Sequence, residues 1–312
     1  MPTLAALPKI AAKDFARDLQ ISDDELHSLL TLAKDLKRNP EAFCTAARNR
    51  SVALLFEKPS LRTRFTFELA VQQMGGNSVF IDGPIGTREP VQDIARNLDR
   101  WVDAIVARTF TQQTIDSLAK WASVPVINAL SNLYHPCQAL ADILTLHEHF
   151  GDLKGRKLAF LGDGNNVAHS LMLSAARLGM HFALACPEGY LPDSGIRAQA
   201  EGLATISGST VTITHSPEQA LSNADAVYTD VWASMGQESE AARRAKIFAP
   251  FQVNARALAQ ANPDALFLHC LPAHRGEEVT DEVIESKQSA VFDQAENRLH
   301  AQKALLLMLL PS

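Results

Sequence analysis

Hydrophobic positions along this chain alternate between two rhythms, short unbroken runs and longer stretches at helical spacing. Residues 22–38 place acidic and apolar side chains with the period of an amphipathic helix. Ser22, followed three residues later by Glu25, reads as its capping box. The run SVALLF (51–56) has no polar interruption, which suits a central parallel strand covered on both faces. It leads into EKPSLRTR, where Ser60 is placed to cap a helix through FTFELAVQQ. Gly75 and Gly76 close that helix before a strand at SVFI. DAIVAR (103–108) and VPVINA (124–129) are strand-like, with TIDSLAKWA (114–122) helical between them. YHPCQALADILTLHEHF opens as a turn and continues as a helix.

At GDLKGRK, near residue 151, the composition turns polar and glycine-bearing, and then the pattern restarts. KLAFLGDG, a helix over VAHSLMLSAARLG, HFALACP, VTITH, DAVYTDV and ALFLHCL repeat the alternation. AVFDQAENRLHAQKALLLMLL closes the chain as a strand followed by an apolar helix. Strands alternating with helices of this length indicate βαβ units. The expected fold is therefore α/β, with two domains, 1–150 and 151–312, each a parallel sheet flanked by helices. A cleft between them is the expected place for small molecules.

Composition narrows the picture further. A chain of 312 residues exceeds the usual single core, and 46% hydrophobic with 21% charged residues is ordinary for a globular protein. A formal charge of −6 argues against nucleic acid and acidic membranes as partners, while leaving anionic small molecules open. The cysteines are Cys44, Cys137, Cys186 and Cys270, with no C-x-x-C spacing, so neither a disulfide framework nor a zinc site is expected. The first residues lack the apolar core of a signal peptide, and Asp14 and Asp18 argue against a transit peptide. A cytoplasmic protein is expected, although an organellar one with its leader removed would read alike.

The candidate chemistry gathers where strands end. Ser60, Arg62, Thr63 and Arg64 stand at a helix start, where backbone N–H groups and the helix dipole favour an anion. Hydroxyls and a guanidinium fork suit phosphate oxygens. A capped helix with solvated arginines fits the same segment. Arg62 and Arg64, two apart on a helix, cannot face one way, so one serves a ligand and the other the fold. His135 and Gln138 follow VPVINA, and Arg108 ends another strand of the same half. His135 could donate to a carbonyl oxygen or act only as a cap. In the second half, GDGNN lacks the third glycine of a dinucleotide fingerprint, Val167 standing in its place. Asn165 and Asn166 suit a zwitterionic substrate, or simply the turn. Asp230, in DVWASMGQE, could pair with an α-ammonium. Cys270 lies just beyond ALFL, and a thiol paired with the adjacent His269 is geometrically awkward.

Taken together, FEKPSLRTRFTFE, HPCQALAD, GDGNN, DVWASMGQE, HCLPAHRGEEV and ENRLHAQKA resemble the ornithine carbamoyltransferases, in that family's order and spacing. The resemblance implies a carbamoyl-phosphate domain and an ornithine domain, with the final helix, about 296–312, returning to the first. It implies assembly as a homotrimer or a multiple of trimers. Carbamoyl phosphate would be held by Ser60, Leu61, Arg62, Thr63, Arg64, Arg108, His135 and Gln138, with Cys270, Leu271 and Arg298 completing the carbamoyl site. Asn166, Asp230, Ser234 and Met235 would hold ornithine, and Arg108, His135, Cys270 and Arg298 would carry the chemistry. No metal and no cofactor is implied.

Two positions depart from the family's commonest form. Leu61 stands for the first threonine of S-T-R-T-R, removing a hydroxyl and leaving a backbone N–H. Pro84 stands where many members carry a glutamine that reaches a neighbouring subunit's phosphate, and proline offers no donor at all. Either the nearby Thr87 or Arg88 substitutes for it, or the affinity for carbamoyl phosphate is lower. Three other readings remain to be weighed: a carbamoyltransferase for N-acylated ornithine, since Leu61 also occurs in that branch, a nicotinamide-dependent dehydrogenase, and a non-catalytic regulator on the same fold.

Overall fold

The computed structural model describes residues 7–233 and 238–311. The chain divides into two compact units. One comprises Met1–Leu144 with Glu296–Ser312, the other Thr145–Ala295.

In the first unit, α1 (Asp23–Arg38) starts at the expected capping box, with Ser22 accepting from the Glu25 N–H and Glu25 reaching back to Ser22. The sheet follows as β1 (Ser51–Phe56), α2 (Leu61–Gln73), β2 (Asn77–Asp82), α3 (Val91–Leu98), β3 (Ala104–Arg108), α4 (Gln112–Trp121), β4 (Val126–Leu130) and α5 (Pro136–Phe150). All strands are parallel, in the order β2-β1-β3-β4. β1 and β3 are central and almost wholly buried, as an uninterrupted apolar run requires. The chain therefore winds in opposite directions from β1, and the switch point lies between β1 and β3, where Phe56 is level with Arg108.

The second unit contains β5 (Lys157–Leu161), α6 (Asn166–Arg177), β6 (His181–Ala185), α7 (Ser194–Ser207), β7 (Val211–Thr214), α8 (Pro217–Leu221) and β8 (Ala226–Thr229). It continues through α9 (Ala241–Phe248), α10 (Ala255–Leu258), β9 (Leu266–His269), α11 (Asp281–Ile284) and the start of α12 (Val291–Leu309). Its parallel order is β7-β6-β5-β8-β9. The switch point here is between β5 and β8. Leu161, Thr229 and His269 are level with one another, so the residues after them emerge side by side. Phe160 stacks on Tyr228 at 5.4 Å between ring centroids, locking that pair of strands.

From Glu296 onward α12 packs on the first unit, with residues 301–310 buried. Lys9 donates to the carbonyls of Leu307 and Leu310, and Lys37 donates to Asn297. A cation on the last carbonyls of a helix is where the dipole favours one.

The strand expected at AVF is corrected, because Val291 already begins α12. Only Ser289 makes a bridge, to Phe267. A three-residue apolar run cannot outweigh the nineteen-residue helix that absorbs its last two members, and the Gln294 N–H already closes a helical bond on Ala290. The helices α3 and α7, in stretches that carried no expectation, complete the alternation. Among the described residues no helix is long and apolar enough to cross a membrane.

Candidate functional site

The first cluster forms at the β1/β3 switch point. Ser60 caps α2 by accepting from the Thr63 N–H at 3.2 Å, and its hydroxyl donates to Thr63 Oγ1 at 2.9 Å. Thr63, fully buried, also accepts from Arg298 Nη2 at 2.8 Å. Arg298 Nη1 donates to Gln138 Oε1 at 2.8 Å, and Gln138 Nε2 donates to Asp142 at 2.8 Å. One guanidinium thus joins the start of α2 to the start of α5. Arg108 ends β3 beneath them, buried, and its carbonyl accepts from the Glu57 N–H.

His135 belongs to this group. Its carbonyl caps α5, accepting from the N–H groups of Gln138 and Ala139. Its ring is buried, and burial, with the charges of Arg298 and Arg108, holds it well below the ordinary 6.5. The ring is therefore a neutral imidazole at physiological pH, a donor that adds no charge. The cap is made by the backbone alone, so it does not occupy the ring. Burial also pushes the neighbouring Cys137 thiol up to about 12, which rules it out as a nucleophile.

The two arginines of the motif part company, as their spacing requires. Arg64 is exposed, with Nε on Glu68 at 2.9 Å and its guanidinium 3.8 Å from the Phe80 ring centroid. Arg62 is half-buried. Leu61, at the first position of α2, turns its side chain outward. Pro84, Thr87 and Arg88 are all exposed in the segment between β2 and α3. Glu57 escaped the sequence reading. Its two carboxylate oxygens accept from the N–H groups of Ile85 and Phe110, pinning the segments that follow β2 and β3.

The second cluster forms at the β5/β8 switch point. Asn165 caps α6 through its side-chain oxygen, and its amide donates to Asp230 Oδ2 at 2.8 Å. Asp230, buried, accepts on Oδ1 from its neighbour's N–H (Val231, 2.8 Å) and from Cys270 Sγ at 3.0 Å. The thiol thus faces Asp230 and not His269, because the level strand ends set residues 230 and 270 side by side. Asn166 is the first residue of α6. Ser234 and Met235 lie outside the described residues.

Behind Asp230, Arg244 of α9 donates from both terminal nitrogens to Asp163 Oδ2, at 2.8 and 3.0 Å, and to the Trp232 carbonyl. Burial raises Asp163 to about 6 despite Arg244, with Asp230 adding repulsion. Gly164 permits the turn, since a Cβ there would lie 2.3 Å from the Pro192 nitrogen. The 269–278 loop is held separately. His269 Nδ1 accepts from the Leu271 N–H at 2.8 Å, and His269 Nε2 meets Glu278 Oε1 at 3.2 Å. Neither Arg244 nor Glu278 was singled out in sequence: Arg244 meets Asp163 across 81 positions, and the partners of Glu278, His269 and His274, are near in the chain but paired only by the folded loop. Among the described residues His274, Glu277 and Glu278 come within metal-ligand range of one another, but the first two are exposed and Glu278 already accepts two donors on Oε1.

Each unit is a doubly wound α/β sheet with polar side chains gathered at its switch point, arginines and a histidine in the first and a buried carboxylate in the second, which is the class of open α/β protein that binds small molecules at such points. Residues 13–148 match the carbamoyl-phosphate-binding domain of aspartate/ornithine carbamoyltransferases, and residues 154–309 match their Asp/Orn-binding domain. An ornithine carbamoyltransferase of Anoxybacillus flavithermus is 50% identical over 98% of this chain and 99% of its own length. The solved ornithine carbamoyltransferase of Pyrococcus furiosus superposes with a TM-score of 0.94 at 47% identity, covering 97% of this chain and 99% of that one. An acetylornithine transcarbamylase bound to acetylcitrulline gives 0.88 at 34% identity, covering 96% and 100%. The chain belongs to the aspartate/ornithine carbamoyltransferase family. The dehydrogenase reading falls with that result, as the missing third glycine anticipated.

Proposed function

We propose that this protein transfers the carbamoyl group of carbamoyl phosphate to the δ-amine of L-ornithine, giving L-citrulline and phosphate. The observation that carries the reading is the first-unit cluster: the capped start of α2, Arg108, Arg298 and a neutral His135 at one switch point. A dianion suits the helix start and the guanidinium groups, and a carbonyl oxygen suits an uncharged N–H donor.

The δ-amine attacks as the neutral base, so the site must select a form that is scarce for an alkylammonium titrating near 10.4. The N–C bond forms, the carbamoyl C–O bond to phosphate breaks, and the departing phosphate takes the amine's proton. Arg108 and His135 donate to the oxygen on which charge develops, while Ser60, Arg62 and the α2 N-terminus stabilise the leaving group. Thr63, Gln138 and Arg298 support that pocket, and the main chain of Cys270 and Leu271 completes the carbamoyl contacts. Removing one such donor typically costs about 100- to 1,000-fold in turnover. The reaction balances without metal or cofactor.

Asp230 and Asn166, with Ser234 and Met235, take the ornithine end. A buried carboxylate suits the α-ammonium of free ornithine, which acylation would abolish. The acylated acceptor remains the second reading, favoured by Leu61 and by the acetylornithine relative. Citrulline formation measured with ornithine, N-acetylornithine and aspartate decides among acceptors. Transfer to N-acetylornithine alone would overturn the assignment, and no transfer to any of them would favour the regulator.

A homotrimer, or a multiple of one, is part of the proposal. Leu61, Phe65 and Leu69 form an exposed apolar stripe at i, i+4, i+8 on α2, and Val79 and Ile81 are exposed on the edge strand β2. Apolar surface of this kind commonly marks association. We place the activity in the cytoplasm, in arginine biosynthesis or in the urea and arginine-degradation route.

A further inference from the structure

The buried pair His269 and Glu278 has no part in the reaction described above, yet it governs a segment that does. Both side chains are 0% exposed. His269 Nδ1 accepts from the Leu271 N–H at 2.8 Å, and on the other side of the ring Nε2 lies 3.2 Å from Glu278 Oε1. That oxygen also accepts from the His274 N–H at 2.6 Å, and the His269 N–H is held by Gln294 at 2.9 Å. Leu271 itself sits at φ 57°, a left-handed conformation that a branched side chain disfavours and that surrounding bonds must hold.

The ring can satisfy both neighbours in one state only. With the proton on Nε2 it donates to the carboxylate and accepts from Leu271. With the proton on Nδ1, two donors face each other at Leu271 and a lone pair faces Glu278. With both nitrogens protonated, the Leu271 contact is again lost. A carboxylate therefore selects the tautomer, as second partners of histidine do elsewhere. The tautomer in turn fixes the Leu271 N–H and the carbonyls on either side of it.

We propose that His269 and Glu278 are positioning residues that hold the Cys270–Leu271 main chain in register for the carbamoyl group, through a single imidazole tautomer. This rests on the proposed carbamoyl transfer.

The first test uses the unsubstituted protein with ¹⁵N-labelled histidine. The His269 signals, identified by their loss in His269→Gln, should show Nδ1 unprotonated and Nε2 protonated. A proton on Nδ1 overturns the proposal. The second test is kinetic, on variants whose thermal unfolding matches the parent. His269→Gln keeps an amide near Nε2 but leaves the Leu271 N–H without an acceptor, and should lose about tenfold or more in kcat. Both KM values should stay within about threefold, because the bonds lost bear on the reacting carbon and not on substrate ends. His269→Asn puts an oxygen near the Nδ1 position and should restore most of the rate. Equal loss in both variants, or kcat unchanged in His269→Gln, overturns the proposal. If neither variant folds, the spectrum of the unsubstituted protein decides, with the His269 ring signals assigned through their bonds to the backbone. An unsubstituted protein without carbamoyl transfer overturns the reading beneath it, whereas an active protein whose variants behave otherwise overturns only this inference.

Discussion

A histidine buried beside two arginines is held neutral by its surroundings, and this has a consequence for stability as well as for donation. His135 resists protonation when folded but takes a proton near 6.5 when unfolded. Above 6.5 both states are neutral. As the pH falls below it, the unfolded chain alone gains the proton, so stability drops until the folded ring's own lower value is reached. Comparing urea denaturation of the parent with His135→Gln, the parent should lose up to about 1.4 kcal/mol more per pH unit in that window. A constant difference across it would contradict the neutral ring. Arg244 makes the opposite case, a charge that must stay paired. Its side chain is nearly inaccessible, and Arg244→Ala strands Asp163 in the interior. A loss of roughly 3–5 kcal/mol is expected by chemical denaturation, the usual cost of orphaning one partner of a buried pair. At this scale the sequence was informative where a residue type meets a strand end. Arg108 and Asp230 stand at one, and Ser60 and His135 stand at the start of the helix that follows one. It gave no role to Glu57, Arg244 or Glu278, whose hydrogen-bond partners only the folded chain shows.

Among elements, legibility followed length and contrast. β1, β3 and β5 each carry an unbroken run of four or five apolar residues, and all lie where expected. α3 was missed because it is only eight residues long, and α7 because alanine, glycine and polar residues dilute its apolar positions. The strand misread at 290–292 shows the limit of a three-residue signal beside a long helix. The GDGNN turn joins β5 to α6 through Gly164, packed against the backbone of residues 191–192. Gly164→Ala should force that turn to shift, raising the KM for ornithine more than that for carbamoyl phosphate. Steady-state kinetics with each substrate varied would show it, and an equal rise in both would argue against a role confined to the second unit.

For the molecule as a whole, the sheet orders explain why scattered motifs converge. Each unit reverses its winding beside its first strand, and each cluster sits at that reversal, the usual crevice of open α/β sheets. Motif spacing alone could not reveal this, since strand order is a property of pairing. The apolar stripe on α2 bears on assembly. Phe65→Glu places a charge on a residue 54% exposed, so it should leave folding intact while dissociating a homotrimer. Sedimentation would check this, and an unchanged mass would remove that face from the interface.

The first unit is discontinuous in the chain, and Arg298, which bridges Thr63 and Gln138, belongs to its late segment. During synthesis the middle stretch, 145–295, can mature as soon as it leaves the ribosome, whereas the phosphate pocket must wait with an unfilled seat until 296–312 arrive. A nascent chain stalled before that point would lack the guanidinium between Thr63 and Gln138, so on the proposed reading carbamoyl phosphate would meet its full set of contacts only after that segment has emerged.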